Sequence, residues 1–167
     1  NDLRKLARAY HSAYAMQVIK SLEDNFEWLC LSLIDHGRFR YFCPIWQREN
    51  DSGVNEWMTF NRRNYIDDLL ANMGGSNIFS DNNAGEEAPR YFYVALKDII
   101  DGQPDILILP DEPYAFGEKE QKMFEQHFKS AGLSKKVKII PIDGSLITWY
   151  GTRLARCIQV LPDLLPK

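Results

Sequence analysis

Two stretches, PDILILPDEPYAF (Pro104–Phe116) and KVKIIPIDGSLITWYGTR (Lys136–Arg153), decide the fold. Each holds a short, nearly unbroken apolar run that ends abruptly in acids, prolines and aromatics. A run such as Ile106–Leu109, with no polar alternation, predicts a strand buried on both faces, as strands of parallel sheets are. In open α/β sheets, ligands settle beyond the carboxyl ends of the strands. The residues delivered there are Asp111, Glu112, Tyr114 and Phe116 from the first stretch and Asp143, Trp149 and Tyr150 from the second. They make a recognition surface without the usual equipment of a catalyst.

Working outward, Glu118–Ser130 has amphipathic spacing with Met123, Phe124 and Phe128 inward, and Gly132 closes it. A last helix is predicted from about Gly151 to Leu161, stopped by Pro162. Upstream, Arg38–Trp46 reads as a strand broken by Pro44, and Gln47–Asn55 as a loop. A helix follows near Arg63–Met73, closed by Gly74-Gly75, then the turn-rich excursion Ser80–Pro89 and a short helix around Ala95–Ile100. The N-terminal stretch from about Asp2 to Leu33 carries a helical stripe of Leu3, Ala7, Tyr10, Tyr14, Val18, Leu22, Phe26 and Leu29. As one helix it would run about 45 Å, ending at His36-Gly37. The order gives an α/β fold, a small and mostly parallel sheet flanked by helices in three Rossmann-like layers, preceded by a long helix. The division is 1–36 for the helix and 37–167 for the α/β lobe.

With 167 residues and 45% hydrophobic content the chain can bury a core of its own. A net charge of −3 offers no large basic footprint, so no nucleic-acid partner is expected. Cys30, Cys43 and Cys157 lack metal-site or redox spacing and read as buried structural thiols. His11, His36 and His127 lie far apart, so no metal site is predicted. There is no GxSxG elbow, P-loop or GxGxxG, and Gly74-Gly75 follows a helix where a phosphate cradle would precede one. Asp111 at a strand end is reminiscent of a phospho-acceptor, yet Cys43–Trp46 offers no acids to hold the magnesium such chemistry needs. Adjacent Asp111 and Glu112 point to opposite sides of an extended segment and make a poor acid–base pair. No catalytic residue is assigned.

Trp46, Trp57, Tyr114, Trp149 and Tyr150 all fall at or just past predicted strand ends. Flat rings with polar tips suit a large, ring-containing ligand, although core packing would account for two or three of them equally well. At these residues the sequence resembles the C-terminal lobe of the helical-backbone periplasmic binding proteins, and within them the cobalamin-binding group. EPYAF is similar to that group's SEPYPF-like segment, and IDGSLITWYGTRL to its DGE-x-x-SWYGSR-like segment. YFCPIW followed by WMTFNRRNYIDDLLANMGGSNIF is similar to its strand, tryptophan-rich loop and helix.

The resemblance implies two α/β lobes, joined by a rigid helix, gripping cobalamin, haem or a ferric siderophore, with delivery to the permease of an ABC transporter. Carried onto this chain, the cleft residues are Trp46, Trp57, Glu112, Tyr114, Trp149 and Tyr150, with no cofactor of the protein's own. The family's acid for transporter docking, near the start of the helix before the EPY strand, falls at Lys97, with Asp98 beside it. The family's first lobe has no counterpart here, so the second wall is expected from a missing N-terminal lobe or a second copy. The chain opens inside a helix without an initiator Met, as a piece of a longer protein does, and the family implies a periplasmic or extracytoplasmic location. Two alternatives stay open: a cytoplasmic corrinoid- or cofactor-binding sensor or store, and a small α/β enzyme completed by another chain.

Overall fold

A computed structural model describes residues 2–32, 38–82, 85, 87–133 and 136–166. The N-terminal stripe forms two helices, α1 (Asp2–Ala9) and α2 (Ala13–Ser32), where one continuous helix was expected. His11 takes a left-handed conformation (φ 46°), which His adopts more readily than most side chains. Ser12 Oγ then accepts the Ala15 N–H at 3.1 Å and caps α2. An ion pair between Arg4 and Glu23 ties α1 back along α2. Residues 10–12 contain neither Gly nor Pro, so the apolar spacing runs through the break unmarked. The expected stop at His36-Gly37 lies outside the described residues.

The chain then builds β1 (Phe39–Phe42), β2 (Trp46–Glu49), β3 (Asn55–Phe60), α3 (Tyr65–Ala71) and β4 (Gly75–Asn77). It continues through β5 (Tyr91–Ala95), α4 (Leu96–Gly102), β6 (Ile106–Pro110), α5 (Glu118–Ser130) and β7 (Lys138–Ile142). The end of the chain forms α6 (Ser145–Thr148), a 3-10 turn at Gly151–Arg153, and α7 (Leu154–Leu164). Four strands make an all-parallel sheet in the order β4-β1-β6-β7.

Every residue of β6 is buried, and its side chains alternate between two cores as the pleat requires. Ile106 and Ile108 join Tyr41, Leu69, Leu70, Ile147 and Leu161 on the α3, α6 and α7 side, where Phe26 and Leu29 of α2 also pack. Leu107 and Leu109 join Phe42, Ile99, Phe124 and Phe128 under α4 and α5. Each fully buried Leu or Ile contributes about 1.5–3 kcal/mol, so β6 is the spine of the lobe. The three-layer α/β architecture read from the sequence is the one observed.

A second sheet was not foreseen. β2, β3 and β5 pair antiparallel in the order β2-β3-β5. Residues read as loop therefore include a strand and hairpin, turned at Gly53 (φ 72°) with Asn50 Oδ1 accepting the Ser52 and Val54 N–H groups. Cys43–Ile45 carries the chain from one sheet to the other. The last helix also continues through Pro162 to Leu164. Proline there falls in the final turn, so its missing donor removes one bond without ending the helix at once.

Candidate functional site

The loops that follow β6 and β7 are locked to each other. Asp111 N–H donates to Ile142 O at 3.1 Å, and Asp111 Oδ1 accepts the Gly144 N–H at 2.7 Å. A Cβ on Gly144 would lie 2.5 Å from the Glu112 carbonyl oxygen and 2.8 Å from its Cγ, so only glycine permits this approach. Asp143 Oδ1 accepts the Ser145 N–H at 3.0 Å and opens α6. Those hydrogen bonds, with Arg156 3.3 Å away, hold the Asp143 carboxyl below its ordinary range despite partial burial. Asp111 and Asp143 thus shape the loops, and neither lines the cavity between them and α3.

The latch turns Glu112 toward the end of α6. Its Oε1 accepts the Trp149 indole N–H at 2.5 Å and is 3.4 Å from Thr148 Oγ1. The Glu112–Pro113 peptide is cis. Trp149 stays 56% exposed, with the Arg153 guanidinium 5.8 Å from its ring centre, and Arg153 donates to Ser145 Oγ at 2.8 Å. Tyr150, 73% exposed, meets Tyr65 edge-on at 5.2 Å. Together with Ile45, Asn64, Ile66, Arg90, Tyr91 and Pro113 they line an open cavity of about 600 Å³.

Of the six expected site residues, Glu112, Trp149 and Tyr150 line this cavity. Trp46 (44% exposed) and Tyr114 pair edge-on at 5.6 Å, each one residue beyond a cavity-lining neighbour, Ile45 and Pro113. Trp57 departs from expectation. It is 1% exposed, packs on Phe124 at 5.1 Å and donates its indole N–H to Gln47 Oε1 at 3.2 Å, inside the second core. Phe116 is likewise core. The inward-facing register of β3, invisible without its partners, puts Trp57 there.

Tyr65, Arg90 and Tyr91 were missed. Tyr65 sits just inside α3, whose start is fixed by Asn64 Oδ1 accepting the Ile66 N–H at 2.9 Å. Burial pushes the Tyr65 phenol up to about 12, with Cys157 and Asp68 adding to the effect. Its hydroxyl is buried with no hydrogen-bond partner among the described residues. Arg90 and Tyr91 end the excursion read as loop, and Arg90 O accepts the Asn61 N–H at 3.2 Å. The dipeptide after Pro89, opening an aromatic strand, was the available signal.

Asp98 is exposed in the first turn of α4 and its Oδ2 accepts the Ala95 N–H at 3.0 Å. Lys97 pairs with Asp101. Among the described residues no three His, Cys, Asp or Glu side chains are grouped to hold a metal ion.

No family model matches the sequence, and no curated protein does. Solved structures share the fold. An ABC transporter substrate-binding protein from Listeria monocytogenes EGD-e superposes with a TM-score of 0.71 at 15% identity, over 98% of this chain and 62% of its own. The periplasmic vitamin B12 binding protein BtuF of Vibrio cholerae gives 0.64 at 12% identity, over 90% of this chain and 52% of its own. The periplasmic haem-binding protein HutB of Vibrio cholerae gives 0.62 at 14%, over 96% and 60%. The fold is the α/β architecture of these substrate-binding proteins, and this chain spans between half and two thirds of their length.

Proposed function

We propose that this chain is the C-terminal lobe of an extracytoplasmic substrate-binding protein that hands a ring-containing metal chelate to an ABC transporter. The chelate is of the corrinoid, haem or ferric siderophore class. One observation carries the reading: the Glu112–Trp149 pair, set by the Gly144 latch at the carboxyl ends of β6 and β7, faces a cavity edged by Tyr65, Tyr91 and Tyr150. Exposed rings beside a fixed carboxylate suit a flat, partly polar ligand. Solved structures of the same fold include proteins described as binding vitamin B12 and haem, which supports the ligand class.

Capture is by stacking and hydrogen bonding, with no covalent change to the ligand. The open cavity is one wall of a cleft, and the other comes from a further lobe or a second copy. The outward face of α2, where Tyr14, Trp28 and Leu31 are exposed, is offered to such a partner. Asp98, exposed on α4, is the acid available for docking to the permease.

Intrinsic fluorescence tests this directly. Trp149 is exposed in the cavity whereas Trp57 is sealed in the core, so a ligand in the cavity quenches part of the emission. Cyanocobalamin, hemin and a ferric hydroxamate are titrated in turn. Saturable quenching by one of them, with the quenched fraction diminished in Trp149→Phe, is expected. Only linear, unsaturable quenching by all three would remove the proposal.

A further inference from the structure

We infer that the cavity is divided by charge, and that its ligand presents an ionised carboxylate to Arg90 and a hydrogen-bond donor to Glu112. The inference rests on the binding role proposed above and narrows it to carboxylate-bearing chelates. Both residues line the same cavity, and Arg90 is exposed there to solvent. Among the described residues, the Arg90 guanidinium has neither a carboxylate partner nor a hydrogen-bond acceptor. The neighbouring arginines are engaged: Arg62 pairs with Asp81 at 2.8 Å, and Arg63 donates to the carbonyls of Gly85 and Ala88. The backbone at Arg90 is fixed by its bond from Asn61, so the unpaired cation sits on an anchored segment.

Glu112 supplies the complementary group in the same cavity. Trp149 and Thr148 both address Oε1 of Glu112, and Oε2 has no partner among the described residues. Arg90 and Glu112 do not form an ion pair with each other, so each keeps its capacity for a ligand group. A planar guanidinium binds a carboxylate through two parallel N–H···O bonds, geometry that an ester or a neutral amide cannot reproduce. Most of the remaining lining is apolar or aromatic, Ile45, Ile66, Pro113 and Tyr150 among it, with Asn64 and Thr148 the neutral polar residues. A tetrapyrrole with acidic side arms or a citrate-type ferric chelate has this pattern. A macrocycle decorated only with neutral amides satisfies Glu112 and leaves Arg90 empty.

The test uses the full chain with hemin, hemin dimethyl ester, dicyanocobinamide and ferric citrate, followed by absorbance and calorimetry. A carboxylate-bearing chelate, hemin or ferric citrate, is expected to bind about tenfold or more tighter than the ester and cobinamide, the scale of one charge-assisted bond pair. Arg90→Gln should abolish that preference, while Lys97→Gln, on the surface of α4, leaves it intact. Whichever of hemin and ferric citrate shows the Arg90 dependence identifies the source of the carboxylate. Equal affinity for hemin and its ester, tightest binding of cobinamide, or no effect of Arg90→Gln would overturn the inference and leave the binding role standing. Failure of all four to bind would overturn the inference, and the binding role would then rest on the cyanocobalamin and ferric hydroxamate titrations.

Discussion

Replacing Gly144 by alanine tests the latch that places Glu112. The backbone at Gly144 (φ −59°, ψ −26°) is right-handed helical and suits alanine, so conformation alone predicts a gain of about 0.5 kcal/mol from a stiffer unfolded chain. Contacts predict the opposite. The new Cβ meets Glu112 O at 2.5 Å and Glu112 N at 2.8 Å, and both are backbone atoms that no rotamer change can move aside. Overpacking of this kind costs about 1–3 kcal/mol. Prying the loops apart also stretches the 2.7 Å bond from Gly144 N–H to the Asp111 carboxylate, a charged bond worth about 1.5 kcal/mol in a part-buried place. The expected loss is about 3 kcal/mol, and with a urea slope of about 2 kcal/mol/M the midpoint falls by about 1.5 M. Gly53→Ala is the control: its φ of 72° is strained for alanine but nothing lies within 4 Å, so about 1 kcal/mol is expected from the backbone alone. A Gly144→Ala protein within 0.5 kcal/mol of the parent, or more stable, would show that the two loops yield freely and that Glu112 is not held as described.

Further outcomes are expected. Trp57→Ala should cost about 3–5 kcal/mol in denaturant titration, as a fully buried indole does, while Trp149→Ala should leave the midpoint nearly unchanged and weaken ligand binding. Tyr41→Phe leaves the buried Asp67 carboxylate without the hydroxyl 2.9 Å from it and should cost about 2 kcal/mol. Tyr65→Phe removes a buried hydroxyl that lacks a partner among the described residues, and should be neutral or stabilising by about 1 kcal/mol. The folded Tyr65 phenol, raised by burial from 10.0 to about 12, stabilises fully below the unfolded value and loses that contribution as pH rises through the folded one. Tyr65→Phe should therefore flatten part of the alkaline fall in stability between pH 10 and 12, leaving the part due to Cys157, pushed up by burial to about 12, and to Tyr41, Cys43 and Cys30, which burial also raises.

What was legible in the sequence follows from how local each determinant is. The unbroken apolar run of β6 announced a doubly buried strand, and its Ile and Leu side chains sort into two cores as expected. The amphipathic α5 lies where its spacing placed it, and Glu112, Trp149 and Tyr150 meet because strand ends of a parallel sheet share one edge. The second sheet was hidden because β2, Trp46–Glu49, is a polar edge strand. Its partners are fixed by cross-strand contacts such as Arg48 with Glu56 at 2.9 Å and Arg48 over the Tyr93 ring at 3.6 Å. That same register buries Trp57, which looked like a site residue while its strand was unknown. Tyr65 and Arg90 reach the cavity by tertiary packing, which no local pattern in the sequence encodes. The break between α1 and α2 rests on one left-handed His, and residue types alone do not mark it.

Under the proposed function, a ring-containing chelate occupies the shelf at the carboxyl ends of β6 and β7. Amide and indole chemical-shift mapping on the isotopically labelled chain, with each chelate in turn, tests it most directly. Changes are expected at Ile45 and Trp46, at Tyr65, Arg90 and Tyr91, at Glu112 and Tyr114, and at the Trp149 indole N–H, with the Trp57 indole unmoved. Changes centred on α2, or a moved Trp57 indole beside a silent Trp149, would contradict it.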